Sequence, residues 1–234
     1  ASLTILLTFW FFGGFAWLDL WSRSLGLTDV PTGLVYVFAL LLGNYLLNLP
    51  FKVYDTFVLE ERFGFNKTTR RTFIIDQVKS IILTALIGAP LLAGILLIFH
   101  QVPLAWFWAW LAFSAFMLAI TYLAPSLIMP LFNKFQPMED GELKDAIYRM
   151  AEECDFPLTE ITVMDGSKRS AKSNAFFMGF GKNKKIALYD TLVENHSTEE
   201  LVGVLAHEIG HFKHRHIIQR IALSIVQFAV LFYL

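Results

Sequence analysis

His207, Glu208, Ile209, Gly210 and His211 form a run whose residue types and spacing can do metal chemistry. On an α-helix, residues four apart lie on one face, one turn apart. The two imidazoles then stand side by side, where both reach a single zinc ion at about 2.0–2.1 Å. Glu208 adjoins the first of them at the edge of the same face, placed to act as general base on a water at the metal. The flanks fit a helix: Leu201, Val202, Val204, Leu205 and Ala206 precede the run, and no Pro lies between Glu199 and Leu234. Ser197-Thr198-Glu199-Glu200 reads as a capping box that starts it. The competing reading is a helix that carries two His and one Glu without a metal.

Catalytic zinc takes three protein ligands and a water, and this run supplies two. His214 and His216 are poorly placed for the third. At 1.5 Å per residue, His214 stands about 10 Å along the axis from His207. The extended three-His pattern also needs a Gly turn, and residues 212–216 contain no Gly. Both read better as basic residues at a membrane surface. The other common third ligand is a Glu on a later helix. No Asp or Glu follows Glu208, so that Glu is expected beyond Leu234.

The elements that must position these residues belong to a membrane protein. The chain is 56% hydrophobic, with 23 Phe and a mean hydropathy of +0.53. Apolar stretches at about 3–20, 33–51, 80–99, 104–123 and 217–234 each approach the length that crosses about 30 Å of hydrocarbon. Nineteen basic residues against 20 acidic ones give no charge excess for a nucleic-acid partner. The one cysteine, Cys154, permits no internal disulfide and reads as a small packed side chain. The first stretch has no basic region before it and reads as a spanning helix, not a signal peptide. A start at Ala and a stop inside an apolar run suggest a piece of a longer protein.

Basic residues orient the chain. Lys52, Arg62, Lys67, Arg70, Arg71 and Lys79 lie between the second and third stretches, and a larger basic set lies between the fourth and fifth. The positive-inside rule puts both regions in the cytoplasm. The expected organisation is a membrane domain at 1–131 with four transmembrane helices and a cytoplasmic loop at 52–79. A cytoplasmic zinc-metallopeptidase domain follows at 132–216, then the start of a fifth transmembrane helix at 217–234. The fold class is a mainly α-helical integral membrane protein with a cytoplasmic α+β domain holding a small β-hairpin or sheet.

Within this frame, residues 56–72 read as an ordered loop, because Glu60, Glu61, Phe63, Gly64 and Phe65 make a poor helix interior. Pro125, Pro130 and Pro137 read as breaks after the fourth span. Glu142–Glu153 has helical periodicity, and 161–164, 173–180 and 185–189 read as strands, the last two joined as a hairpin. Asn44 and Asn48, one turn apart in the second span, form an interhelical hydrogen bond or line a cavity. Trp106, Trp108 and Trp110 read as an interfacial belt. The helix from Thr198 has no stop signal and is expected to run unbroken into the fifth span.

Several runs together resemble the type I CAAX prenyl proteases: 61–66, 129–135, 169–179, 185–192 and the zinc run itself, in family order across most of the chain. The resemblance implies a helical barrel around a water-filled intramembrane chamber, closed on its cytoplasmic side by the zinc domain. It implies one Zn²⁺ per chain on His207 and His211, with Glu208 as catalytic base. The activity implied is hydrolysis of the peptide bond C-terminal to a prenylated cysteine, by zinc-activated water. The strand Asn174, Ala175, Phe176, Phe177 to Gly179 would pair with an extended substrate by β-strand addition, with Asn174 near the oxyanion. Expected partners are a peptide or protein substrate and the lipid bilayer, and no nucleic acid. The family has seven spans and a downstream Glu ligand, and this chain shows five spans and no such Glu, which fits truncation at both ends. Two other functions compete: a quality-control metalloprotease for unprenylated membrane proteins, and a non-catalytic zinc-binding scaffold.

Overall fold

The computed structural model describes residues 2–179, 183–214 and 216–234. Its membrane half is a series of long apolar helices. The first expected span is two helices, α1 (Ser2–Phe11) and α2 (Gly14–Ser24), bent by 66°. Gly13 makes the corner in the left-handed region, at φ 71°, a conformation that costs glycine least.

The second span, α3, runs from Asp29 to Arg62. It is α-helical over Asp29–Tyr54, widens into a π turn at Asp55–Leu59, and closes with Glu60–Arg62. The expected loop at 56–72 is therefore mostly helix, and the loop at 52–79 shrinks to residues 63–69. The sequence read as a poor helix interior is a helix stop. Gly64 adopts φ 73°, its N–H bonds the Glu61 carbonyl at 3.0 Å, and the Phe65 N–H bonds the Glu60 carbonyl at 2.8 Å. That pairing is a Schellman cap.

Helix α4 (Arg70–Gln101) begins ten residues before the apolar stretch did, with Thr69 Oγ1 capping the Thr72 N–H at 3.1 Å. Helix α5 spans Ala105–Phe132. Pro125 and Pro130 do not break it. Each sits at the start of a resumed segment, the π turn Ala124–Ile128 and the turn Met129–Phe132, where a missing N–H is least costly. Each span packs on the next. Tyr45 donates to Gln77 Oε1 between α3 and α4 at 3.3 Å. Asn48 Nδ2 bonds Asn44 on its own helix, and both line a cavity of about 630 Å³ between α1–α2 and α3.

The second half of the chain is a mixed sheet with helices against it. Strands β1 (Phe135–Pro137), β2 (Leu158–Met164), β3 (Ala175–Met178) and β4 (Lys184–Tyr189) lie in the order β1-β2-β4-β3. β2 and β4 are parallel, and the two outer pairings are antiparallel. The β3–β4 pairing is the expected hairpin, and residues 180–182 of its turn lie outside the described residues. Strand β1 and the parallel pair were not foreseen. Helices α6 (Glu142–Glu153), α7 (Asp190–Asn195) and α8 (Thr198–Lys213) complete the domain. The core joins Ile147, Ile161, Ile186, Leu188, Leu201 and Leu205, all 2% exposed or less.

The expected continuous helix from Thr198 is two: α8, then α9 (His216–Tyr233). The ring contacts require the break. His214 stacks on His216 at 5.6 Å, and His211 Nδ1 lies 2.9 Å from His216 Nδ1, whereas side chains two or five apart on a straight helix do not face each other. Helix α9 packs on α5. Trp110 Nε1 donates to the Ile225 carbonyl at 2.9 Å, and Trp106 meets Tyr233 edge-on at 5.3 Å. Two of the three expected belt tryptophans thus contact a neighbouring helix, while Trp108 is 48% exposed.

Candidate active site

Helix α8 is aimed by its buried side. Leu201, Leu205 and Ile209 recur every four residues and are 1%, 0% and 1% exposed. Residues two further on point about 200° away around the axis, so burying Leu205 and Ile209 turns His207 and His211 outward. Both are exposed, and Glu208 between the two faces is half-buried. The capping box starts the helix as expected: Ser197 Oγ accepts the Glu200 N–H at 3.3 Å, and Glu200 Oε2 accepts the Ser197 N–H at 2.9 Å.

One ligand atom from each of His207, Glu208 and His211 falls within a sphere of mutual distances up to 4.8 Å. The two imidazole rings stand 4.8 Å apart and nearly perpendicular. The donor set fits a metal: two imidazole nitrogens on the outward face and a carboxylate oxygen at its edge, all within reach of one ion. It is the only such group of three among the described residues. His216 comes to His211 Nδ1 and not into this group.

Asn174 is exposed at the entrance to β3. Its Oδ1 accepts the Ala175 N–H at 2.9 Å, which leaves its amide NH₂ directed outward from that bond, and its carbonyl accepts the Tyr189 N–H at 3.0 Å. Ala175, Phe176, Phe177 and Met178 pair with Leu188, Ala187, Ile186 and Lys185. With β4 on one side, β3 is the sheet's edge, and its other edge has no strand partner among the described residues. Gly179 ends it at φ 87°. A Cβ there would stand 2.0 Å from the Asn183 carbonyl oxygen.

Three residues that sequence reasoning missed tie this strand to the metal-facing helix. Phe156, 5% exposed, packs edge-on against Phe177 of β3 and Phe212 of α8, each at 5.1 Å. Lys184, 7% exposed, donates to the Gly179 carbonyl at 3.0 Å and lies 4.4 Å over the Phe212 ring. Burial pushes its amine below the ordinary lysine range. No local pattern distinguishes Lys184 from the basic neighbours that share its turn. Its burial follows only from the seating of β4 against α8.

Residues 1–134 match the family described as CAAX prenyl protease N-terminal, five membrane helices, and residues 137–234 match peptidase family M48. The chain is 48% identical over 182 residues to CAAX prenyl protease 1 of Saccharomyces cerevisiae, covering 76% of this chain and 40% of that protein. It is 34% identical over 245 residues to the Homo sapiens CAAX prenyl protease 1 homolog, covering 88% and 51%. The crystal structure of S. mikatae Ste24p superposes with a TM-score of 0.92 at 38% identity, covering 99% of this chain and 56% of that one. The chain thus spans about half the length of the relatives it matches. With four to five apolar helices long enough to cross a bilayer among the described residues and a candidate metal donor set on α8, it is an integral, multi-pass membrane protein that belongs to the CAAX prenyl protease family of M48 metallopeptidases.

Proposed function

We propose that the protein is a zinc-dependent membrane endopeptidase that cuts C-terminal to a prenylated cysteine, with its peptidase domain on the cytoplasmic face. The observation that carries this is the convergence of His207 and His211 on the outward face of α8, with a Glu208 oxygen at the edge of that face within 4.8 Å of both donors. His207 and His211 hold one Zn²⁺, and the third protein ligand is a Glu outside residues 1–234. Bound zinc supplies a Lewis acid for the scissile carbonyl and brings the pKa of water towards about 7. Glu208 takes the proton from the attacking water and returns it to the leaving amine. The free edge of β3 holds the substrate extended, and the Asn174 amide donates to the developing oxyanion. The names of the relatives favour the prenylated substrate, and the basic loop and domain favour the cytoplasmic face.

The test uses the full-length protein in vesicles with a farnesylated CAAX peptide and its unprenylated counterpart. Cleavage of the farnesylated peptide alone, after the modified cysteine, is expected. Equal cleavage of both would favour the quality-control reading, and stoichiometric zinc without cleavage of either would favour a scaffold.

A further inference from the structure

Arg169 is a junction between the two halves of the molecule. Its guanidinium grips Asp76, in the second turn of α4, through two bonds: Nε to Oδ2 at 2.7 Å and Nη2 to Oδ1 at 3.0 Å. Nη2 also donates to the Phe132 carbonyl at 2.7 Å, at the last turn of α5. A helix end leaves such carbonyls without intrahelical partners, and a cation there is favourable. Lys79 serves the neighbouring Leu131 carbonyl at 2.6 Å, one turn along α4 from Asp76. The pair is withdrawn from water: the Arg169 and Asp76 side chains are 24% and 19% exposed. A two-pronged contact of this kind fixes orientation as well as distance.

The backbone of the same segment is stitched to the short loop between α3 and α4. The Arg169 carbonyl accepts from the Lys67 N–H at 3.0 Å and from Thr68 Oγ1 at 2.9 Å. The Ala171 N–H donates to the Phe65 carbonyl at 2.8 Å, and Lys172 pairs with Glu60 at the end of α3. Two residues after Lys172 the chain reaches Asn174 and then enters β3. The far side of the segment is anchored to the start of α7, the helix that follows β4, by Thr191 Oγ1, which donates to the Lys172 carbonyl at 3.1 Å.

From this we infer that Asp76–Arg169, seconded by Glu60–Lys172, is a clasp that presents β3 to the substrate: Asp76 and Arg169 are positioning residues for the substrate strand. The inference rests on the reading that β3 receives the substrate. An edge strand with one partner is ordered only as well as the segment that delivers it. When the clasp is broken, β3 is in its binding-competent place for a smaller fraction of the time. Apparent affinity falls by that fraction, while the complex, once formed, turns over as before.

The test is made on the full-length protein in detergent or vesicles. Asp76→Asn is expected to raise KM roughly five- to tenfold with kcat within about twofold, zinc content unchanged. Asp76→Glu keeps the charge and is expected to bring KM back to within about threefold of wild type. Amide hydrogen exchange at 175–178 is expected to accelerate in Asp76→Asn without substrate, while exchange at 158–164 stays as it was. Glu60→Gln, on the more exposed side of the clasp, is expected to show the same pattern more weakly, and it carries the test alone if Asp76→Asn does not accumulate folded. Unchanged KM with unchanged exchange at 175–178, or a fall in kcat with KM untouched, overturns the clasp. If the wild type cleaves no peptide, the peptidase reading fails, and the exchange measurement still decides the clasp.

Discussion

Glu208 stands one residue after a metal-facing histidine, about 100° around the helix from it, and its oxygen lies within 4.8 Å of both imidazole donors. That position is compatible with a proton carrier or with a ligand, and the two roles separate on substitution. As a proton carrier, Glu208→Gln keeps stoichiometric zinc and loses roughly 10²–10⁴-fold in peptide cleavage. Zinc analysis alongside turnover checks this, and loss of the metal together with activity would make Glu208 a ligand instead. Lys184 gives a pH signature of a different kind. Its folded pKa is depressed by burial, so between that value and the ordinary one of about 10.4 the unfolded chain holds a proton that the folded chain has released. Stability contributed at this site is therefore lowest below the folded pKa and grows as pH rises through the window. Thermal unfolding of the wild type relative to Lys184→Met is expected to shift in favour of the wild type as pH rises towards the ordinary lysine range. At this scale the shared outward face of His207 and His211 was legible because a spacing of four is a property of the helix itself. Phe156, Lys184 and Phe212 were not legible, since they meet only when β3, β4 and α8 are packed together.

Elements were legible where one period ran undisturbed. The capping box and the apolar residues Leu201, Val202, Val204, Leu205 and Ala206 marked α8 in advance, and burial of Leu201, Leu205 and Ile209 sets its facing. Cutting Leu205 to Ala removes a side chain with no exposed surface and is expected to cost about 2–5 kcal/mol, seen as a lower unfolding midpoint with weakened zinc retention. The errors fell at helix ends. Residues 60–65 were read for what disfavours a helix interior, when Gly64 was the signal of its C-terminus. Pro125 and Pro130 were read as stops, when each opens a resumed segment of α5, the π turn 124–128 and the turn 129–132. The first span erred oppositely, since its apolar composition hid the corner at Gly13. Strand β3 depends on such a corner as well. Gly179→Ala combines a left-handed backbone with a Cβ 2.0 Å from a carbonyl oxygen. It is expected to cost at least about 1–3 kcal/mol and to raise KM more than it lowers kcat, measured by unfolding and steady-state kinetics.

The whole molecule divides as its composition divides, with a half whose apolar side chains stay on the surface and a half that buries them. In α4 none of the apolar window is buried by the rest of the chain, while the peptidase half closes over its own core. The orientation proposed for it has a direct check. With Cys154→Ser as background, Glu199→Cys puts the only thiol on an exposed position at the start of α8. A membrane-impermeant maleimide is expected to label it from the cytoplasmic side of sealed vesicles and not from the other. The open edge of β3 bears on selectivity. Pairing with a strand edge is made through main-chain groups that every residue possesses, and four residues of edge offer few side-chain pockets with which to prefer one sequence over another. Such an edge is also a standing invitation to unrelated extended segments, including another copy's own strand. If β3 receives the substrate as proposed, clients are chosen by admission, through what the membrane half lets reach the edge, because main-chain pairing reads little of a sequence.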